Sequence, residues 1–290
     1  MSPLHQAHKQ RNQRQSILLL ATMLLLLLLL CTSLFGHNGW LFMLVAIALL
    51  LLFSPRASAW LTLRLHHARP LPFEMAPELY RTVDRLAERA QLQQHPLLFY
   101  IPSSTPNAFA LLENKQPLIA VTDGLLRRLD HAELTAVLAH EISHIRNGDL
   151  DVMLLADLLT RLTSSLSTAG WFMLAICLPA WILSDIALPW PAFVLLMLAP
   201  LATSLLQLAL SRTREFDADL EAIGLTGSPA TLARALLKIE QNHGNWWTLL
   251  FPARHSIDPV WMRTHPSTRE RVRRLRMLAT EQYYPMPTPS

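Results

Sequence analysis

The chain has 290 residues, 51% of them hydrophobic, with a formal net charge of +4 and a positive mean hydropathy. Scarce glycine, abundant leucine and this apolar balance favour helices and a membrane. They argue against a nucleic-acid partner, because the basic residues flank the apolar runs and Arg269, Arg271, Arg273, Arg274 and Arg276 read as one helix face with its flanks. Cys31 and Cys177 both fall in apolar runs and outside any metal-ligand spacing, which excludes a disulfide framework.

Residues 1–16 are polar and carry Lys9, Arg11 and Arg14. Ile17 to Leu34 then runs without a charge, too long for a signal-peptide core, and lacks a small-residue cleavage site. Gly36 to Gly39 predicts a turn, and Trp40 to Phe53 a second apolar run. Arginines flank the outer ends (Arg11, Arg14; Arg56, Arg64, Arg69) and the turn has none, so both ends are expected in the cytoplasm. Pro70 to Pro72 reads as a linker. Ala76 to Gln91 spaces Leu79, Val83, Leu86 and Ala90 as a helix, with Pro77 in the first turn. Leu97 to Ile101, Asn107 to Ala110 and Leu118 to Thr122 read as short strands, the last two joined by a polar turn at 113–116. Helices are expected over 125–129 and 132–146, the latter capped by Asp130 with Glu133 as its capping-box partner.

Leu162 to Leu183 and Ile186 to Leu210 are charge-free and long enough to span a bilayer. Asp185, Pro189 and Pro191 punctuate them, and Arg161, Arg212 and Arg214 flank them, repeating the orientation of the first pair. The competing reading is a buried helical hairpin in a soluble core. The fold class expected is therefore mainly α and integral to a membrane. About four transmembrane helices in two hairpins (17–53 and 162–210) would accompany a cytoplasmic α+β region at 54–161 and 211–284. The tail, 285–290, is expected to be disordered.

The helix over 132–146 carries His140-Glu141-Ile142-Ser143-His144. Positions i and i+4 stack on one helix face, so His140 and His144 can hold one zinc ion, with Glu141 placed as a general base for water. A third ligand is expected from a second helix. Beyond the last apolar run, Glu215 and Asp219 share a face at i, i+4, while Asp217 points elsewhere. Glu215 would complete a His₂Glu donor set, and Asp219 would accept a hydrogen bond from a ligand histidine. The plainer alternative is a membrane-flanking helix whose acids and arginines pair at headgroup level.

His140 to Asp149 (HEISHIRNGD) and Ser211 to Asp219 (SRTREFDAD) resemble the paired motifs of HtpX-type membrane zinc metallopeptidases, the family that includes the CAAX prenyl proteases. Asn107-Ala108-Phe109-Ala110, the segment 121–126 and the His265-Pro266…Arg271 element resemble further blocks of that family, over residues 70–280. The resemblance implies a zincin-like domain with one Zn2+ per chain on His140, His144 and Glu215. It implies Glu141 as general base and acid, Asp219 behind the ligands, and His265 as a donor to the oxyanion. Arg271 would be structural or substrate-orienting, and Asn107, Ala108 and Phe109 would lie on an edge strand for extended substrates. Leu111 and Leu112 depart from the family pattern and put the shape of the substrate edge in doubt, and Ser267 stands where a second proline is common after His265-Pro266. The implied activity is zinc endopeptidase hydrolysis of misfolded or damaged membrane proteins at the cytoplasmic face of a bacterial inner membrane, as part of a stress response. A catalytically inactive membrane chaperone or adaptor is the alternative, against which the intact ligands and base weigh. An intramembrane site is disfavoured by the charges around the motif.

Overall fold

The structure, a computed structural model, describes residues 3–53, 59–183, 190–240 and 268–283. Over these it is mainly helical, with one four-stranded mixed sheet. Contacts divide the chain into two units, one from 10–56 and 151–213, the other from 1–9, 57–150 and 214–290.

The first unit is apolar helix. Helix α1 (Pro3–Phe35) ends in a 3-10 turn at Gly36–Asn38, where a turn was predicted, and α2 (Gly39–Phe53) follows. Phe35 and Phe42 stack across that turn with ring centroids 4.3 Å apart. Two stretches, Asn12–Ala48 and Trp190–Thr226, are long and apolar enough to cross a membrane. Leu18, Leu25, Leu44, Val194, Met197 and Leu201 stand exposed on them, a surface that suits lipid and not water. Farther along the chain, α7 (Asp149–Leu183) and α8 (Trp190–Thr226) touch within this unit. Ser167 donates to the Leu196 carbonyl, and Gly170 lies against the Leu196 side chain.

The second unit builds the sheet. Strands β1 (Arg69–Pro70), β2 (Leu97–Ile101), β3 (Ala108–Glu113) and β4 (Gln116–Thr122) lie in the order β1-β2-β4-β3. The β2–β4 pair is parallel and the other two are antiparallel. Strands β3 and β4 outrun the segments expected from sequence, because Glu113 pairs with Gln116 across a two-residue loop. Asn114 and Lys115 in that loop both have positive φ (49° and 71°), as a tight hairpin turn requires. The segment read as a linker starts with β1 instead. Proline survives there because an edge strand leaves its missing N–H facing outward. The order of the sheet leaves β3 on the opposite edge.

Helix α3 (Ala59–Leu65) was not expected; it packs Ala59 and Leu63 against Ile101, Phe109, Leu111 and Leu118 on one sheet face. Helix α4 (Pro77–Arg89) starts on Pro77 and buries Leu79, Val83 and Leu86 as its spacing foretold. Helix α5 (Asp123–Arg128) is capped by Thr122, whose hydroxyl accepts from the Leu125 N–H at 3.3 Å. Between them Gly124 passes the 103–106 loop so closely that a Cβ would sit 2.1 Å from the Ser104 carbonyl oxygen. Gly124→Ala is therefore expected to destabilise this unit by about 1–3 kcal/mol, read as a lowered Tm of the purified protein.

Helix α6 (His131–Asn147) is the centre of the unit. Its capping box is formed as read: Glu133 N–H donates to Asp130 at 2.8 Å, and Asp130 N–H donates to Glu133 at 3.1 Å. The buried Glu133 carboxylate also takes Lys238 of α9 (Pro229–Glu240) at 2.6 Å. Val137, Leu138 and Ile142 of α6 join Val83, Leu98, Ile119, Leu232 and Leu275 in one core, the last from α10 (Thr268–Tyr283). This core fixes α6 between the sheet and the C-terminal helices.

Candidate active site

The C-terminal half of α6 carries His140, Glu141 and His144, and the turn of α8 facing it carries Glu215 and Asp219. The Nε2 atoms of His140 and His144 stand 3.2 Å apart. Glu215 places its carboxylate oxygens 3.4 Å from His140 Nε2 and 3.6 Å from His144 Nε2. His140, His144 and Glu215 thus form a group whose donor atoms lie within 4.8 Å of one another, a geometry that can hold a metal ion. Asp217 is not part of that group.

The other nitrogen of each histidine meets its own carboxylate. Asp219 lies 3.1 Å from His140 Nδ1, and Asp149 lies 2.8 Å from His144 Nδ1. Those partners place the ring N–H on Nδ1, an assignment from hydrogen bonding, and leave both Nε2 lone pairs aimed inward. Once both histidines are neutral, two imidazole lone pairs and a carboxylate converge, a donor set that suits a cation.

Asp149, 2% exposed, had no role in the sequence reading beyond closing the HEISHIRNGD block. It reaches His144 because α6 stops at Gly148, whose φ of +65° reverses the chain in the left-handed conformation that glycine adopts freely. Arg214 holds Asp149 from behind at 3.1 Å. Arg271, from α10, donates to both oxygens of Asp219 at 2.8 and 2.6 Å and pairs with Glu215 at 2.8 Å. Arg271 thus contacts the donor set and is 6% exposed. Farther up, Glu221 of α8 takes Arg146 and Asn147 of α6, fixing the two helices' register.

Burial opposes protonation of His144, but Asp149 and Glu215 outweigh it and hold its pKa well above the usual histidine value. Burial and Arg271 likewise oppose protonation of His140, and Asp219 and Glu215 prevail. Burial works against the Asp219 carboxylate, yet Arg271 and His140 keep it below the usual range. Burial also disfavours the Arg271 charge, and Asp219 and Glu215 raise its pKa nonetheless. Both histidines must give up their extra proton to ligate a metal, so binding would release protons.

Of the strand residues expected to meet substrate, Phe109 points into the core under α3, and Asn107 pairs its backbone with Thr122. Ala108, Phe109 and Ala110 all lie on β3, the edge strand of the sheet, and the Ala110 N–H donates to Glu141 at 3.0 Å. Ala108 pairs with Val121 at the start of β3. His265 lies outside the described residues.

A metal-dependent hydrolase is the class that this fold and this donor set describe. A family model for peptidase family M48 matches residues 74–279. A protease HtpX homolog of Acaryochloris marina is 38% identical over 264 residues, covering 84% of this chain and 86% of that relative. One from Pyrococcus furiosus is 36% identical over 274 residues, covering 86% and 90%. The crystal structure of S. mikatae Ste24p shares the fold at a TM-score of 0.52 and 23% identity, over 93% of this chain and 66% of that one. The chain belongs to peptidase family M48. It is a membrane-bound metalloprotease acting on polypeptides.

An Asp149→Asn variant is expected to bind metal about 10–100-fold more weakly while folding normally, because an amide orients His144 without its negative charge. Metal affinity by chelator competition checks this; unchanged affinity would detach Asp149 from the site.

Proposed function

We propose that His140, His144 and Glu215 hold one zinc ion per chain, and that Glu141 is the general base and acid of peptide hydrolysis. The observation that carries this is the convergence of the His140, His144 and Glu215 donor atoms within 4.8 Å of one another. The charge balance agrees. Glu141, Asp149, Glu215 and Asp219 face two guanidinium groups, Arg214 and Arg271, a deficit that one divalent cation neutralises. Nitrogen and carboxylate donors in a His₂Glu set suit zinc.

Zinc when bound would supply Lewis acidity to the scissile carbonyl and to the attacking water. Glu141 takes the proton of that water and returns it to the leaving amine. Ala110 N–H holds the Glu141 carboxylate toward the centre and lies on the edge of β3, where an extended polypeptide would add by backbone pairing. Asp219 and Asp149 orient the ligand rings, and Arg271 pairs with Glu215 and keeps Asp219 ionised. His265, by its resemblance to the family position, would donate to the oxyanion.

We also propose four membrane spans in two hairpins, over 17–53 and 162–210, with 54–161 and 211–284 forming the protease region. The arginines at the outer ends of both pairs support a cytoplasmic active site in a bacterial inner membrane. The family resemblance supports quality control of damaged membrane proteins as the task. Metal analysis and casein cleavage on detergent-purified wild type and Glu215→Ala test the centre. One zinc per chain and cleavage in the wild type, both lost in the variant, are expected. Zinc retained in Glu215→Ala removes Glu215 from the ligand set, and wild-type zinc without cleavage of any unfolded substrate favours an inactive adaptor.

A further inference from the structure

Five arginines crowd α10, and the structure sorts them by face. At about 100° per residue, Arg269, Arg273 and Arg276 fall within about 60° of one another, and Arg271 points the opposite way. Arg271 is committed to Glu215 and Asp219. Arg274, on the flank, lies 3.6 Å over the Phe216 ring and pairs with Glu270. Arg269, Arg273 and Arg276 rim a cavity of about 430 Å³ between α9 and α10, which Leu237, Val272 and Met277 also line. No carboxylate among the described residues lines it. Arg269 and Arg273 are exposed and make no ion pair among the described residues, and Met277 is 58% exposed.

We propose that this groove binds the headgroup of an anionic phospholipid. The guanidinium forks of Arg269 and Arg273 match phosphate oxygens, which they can take in pairs. Leu237, Val272 and Met277 offer an apolar wall to the glycerol and first methylenes of the same molecule. Positive rim and apolar wall together complement an amphiphile of opposite sign. An acidic peptide would satisfy the rim but would set a hydrated backbone on that wall. The chain is membrane-bound, so anionic phospholipid belongs to its surroundings. The volume lies within the range of small-molecule sites.

The test is native mass spectrometry of the zinc-loaded full chain in detergent, titrated with dioleoylphosphatidylglycerol or dioleoylphosphatidylcholine. Wild type is expected to bind the anionic lipid at one site on the order of tenfold more tightly than the zwitterionic one, and the double variant Arg269→Gln/Arg273→Gln to lose that preference. A control with the same loss of charge on α4, Arg81→Gln/Arg85→Gln, should keep it. Casein cleavage retained in the Arg269→Gln/Arg273→Gln variant shows that it is folded, since neither arginine touches the catalytic centre; if cleavage is lost, Arg269→Lys/Arg273→Lys, which keeps both charges, takes its place and should keep the preference. Equal affinity for the two lipids, or an unchanged preference in the double glutamine variant, overturns the proposal. So does binding of a poly-glutamate peptide that needs Arg269 and Arg273 while the lipid does not.

Discussion

Glu141→Gln is expected to lower kcat for casein by about 10²–10⁴-fold while zinc content stays at one per chain. The separation of the two effects follows from geometry. Glu141 is not among the three residues whose donor atoms converge, so its charge is not needed for ligation. Its carboxylate accepts the Ala110 N–H at 3.0 Å, and the amide oxygen of glutamine can accept the same bond. The strand edge, α6 and the ligands therefore stay in place, and KM should move little. What is lost is a group able to take a proton from water at neutral pH. Cleavage at the wild-type rate would remove Glu141 from the chemistry, and loss of zinc would make it a ligand or a fold determinant.

Arg271→Leu should have the largest effect on stability, lowering Tm in the presence of chelator by on the order of 10 °C. Glu215 and Asp219 are both buried, and Arg271 faces both. Removing the guanidinium leaves two carboxylates out of water without a counter-charge, at a cost of about 3–5 kcal/mol. Saturating zinc should restore part of the loss, since a ligand that binds the folded state stabilises it. Arg271→Lys keeps a charge but not the paired N–H edges that meet Asp219, and should fall between. The measurement is thermal unfolding of the detergent-solubilised protein with EDTA and with zinc. A variant as stable as wild type in EDTA would mean that water or another cation already compensates those carboxylates.

Much of the centre was legible because its logic is local. A period of 3.6 puts His140 and His144 on one face whatever the rest of the chain does, and it puts Glu215 and Asp219 on another. The capping box of Asp130 and Glu133 and the tight turn at Asn114 and Lys115 are likewise settled within a few residues. The strand at Arg69 and Pro70 was missed because proline breaks strands in general, and only its place at a sheet edge excuses it.

The sequence by itself determined the donor types, the helical spacing of each pair and the apolar runs that bring a membrane into the account. Only the tertiary structure decided which carboxylate serves which histidine. Asp149 lies five residues after His144, off its helical face, and reaches it through the left-handed turn at Gly148. Arg271 is one of five arginines on α10, and it is the one that shares the buried face with Val272 and Leu275. That choice rests on the burial of Val272 and Leu275 against the core, which sets the rotation of α10 and carries Arg271 to Asp219, 52 residues away in sequence. Side-chain type and spacing are local quantities, whereas a buried ion pair is a contact between elements and exists only once their apolar faces have packed.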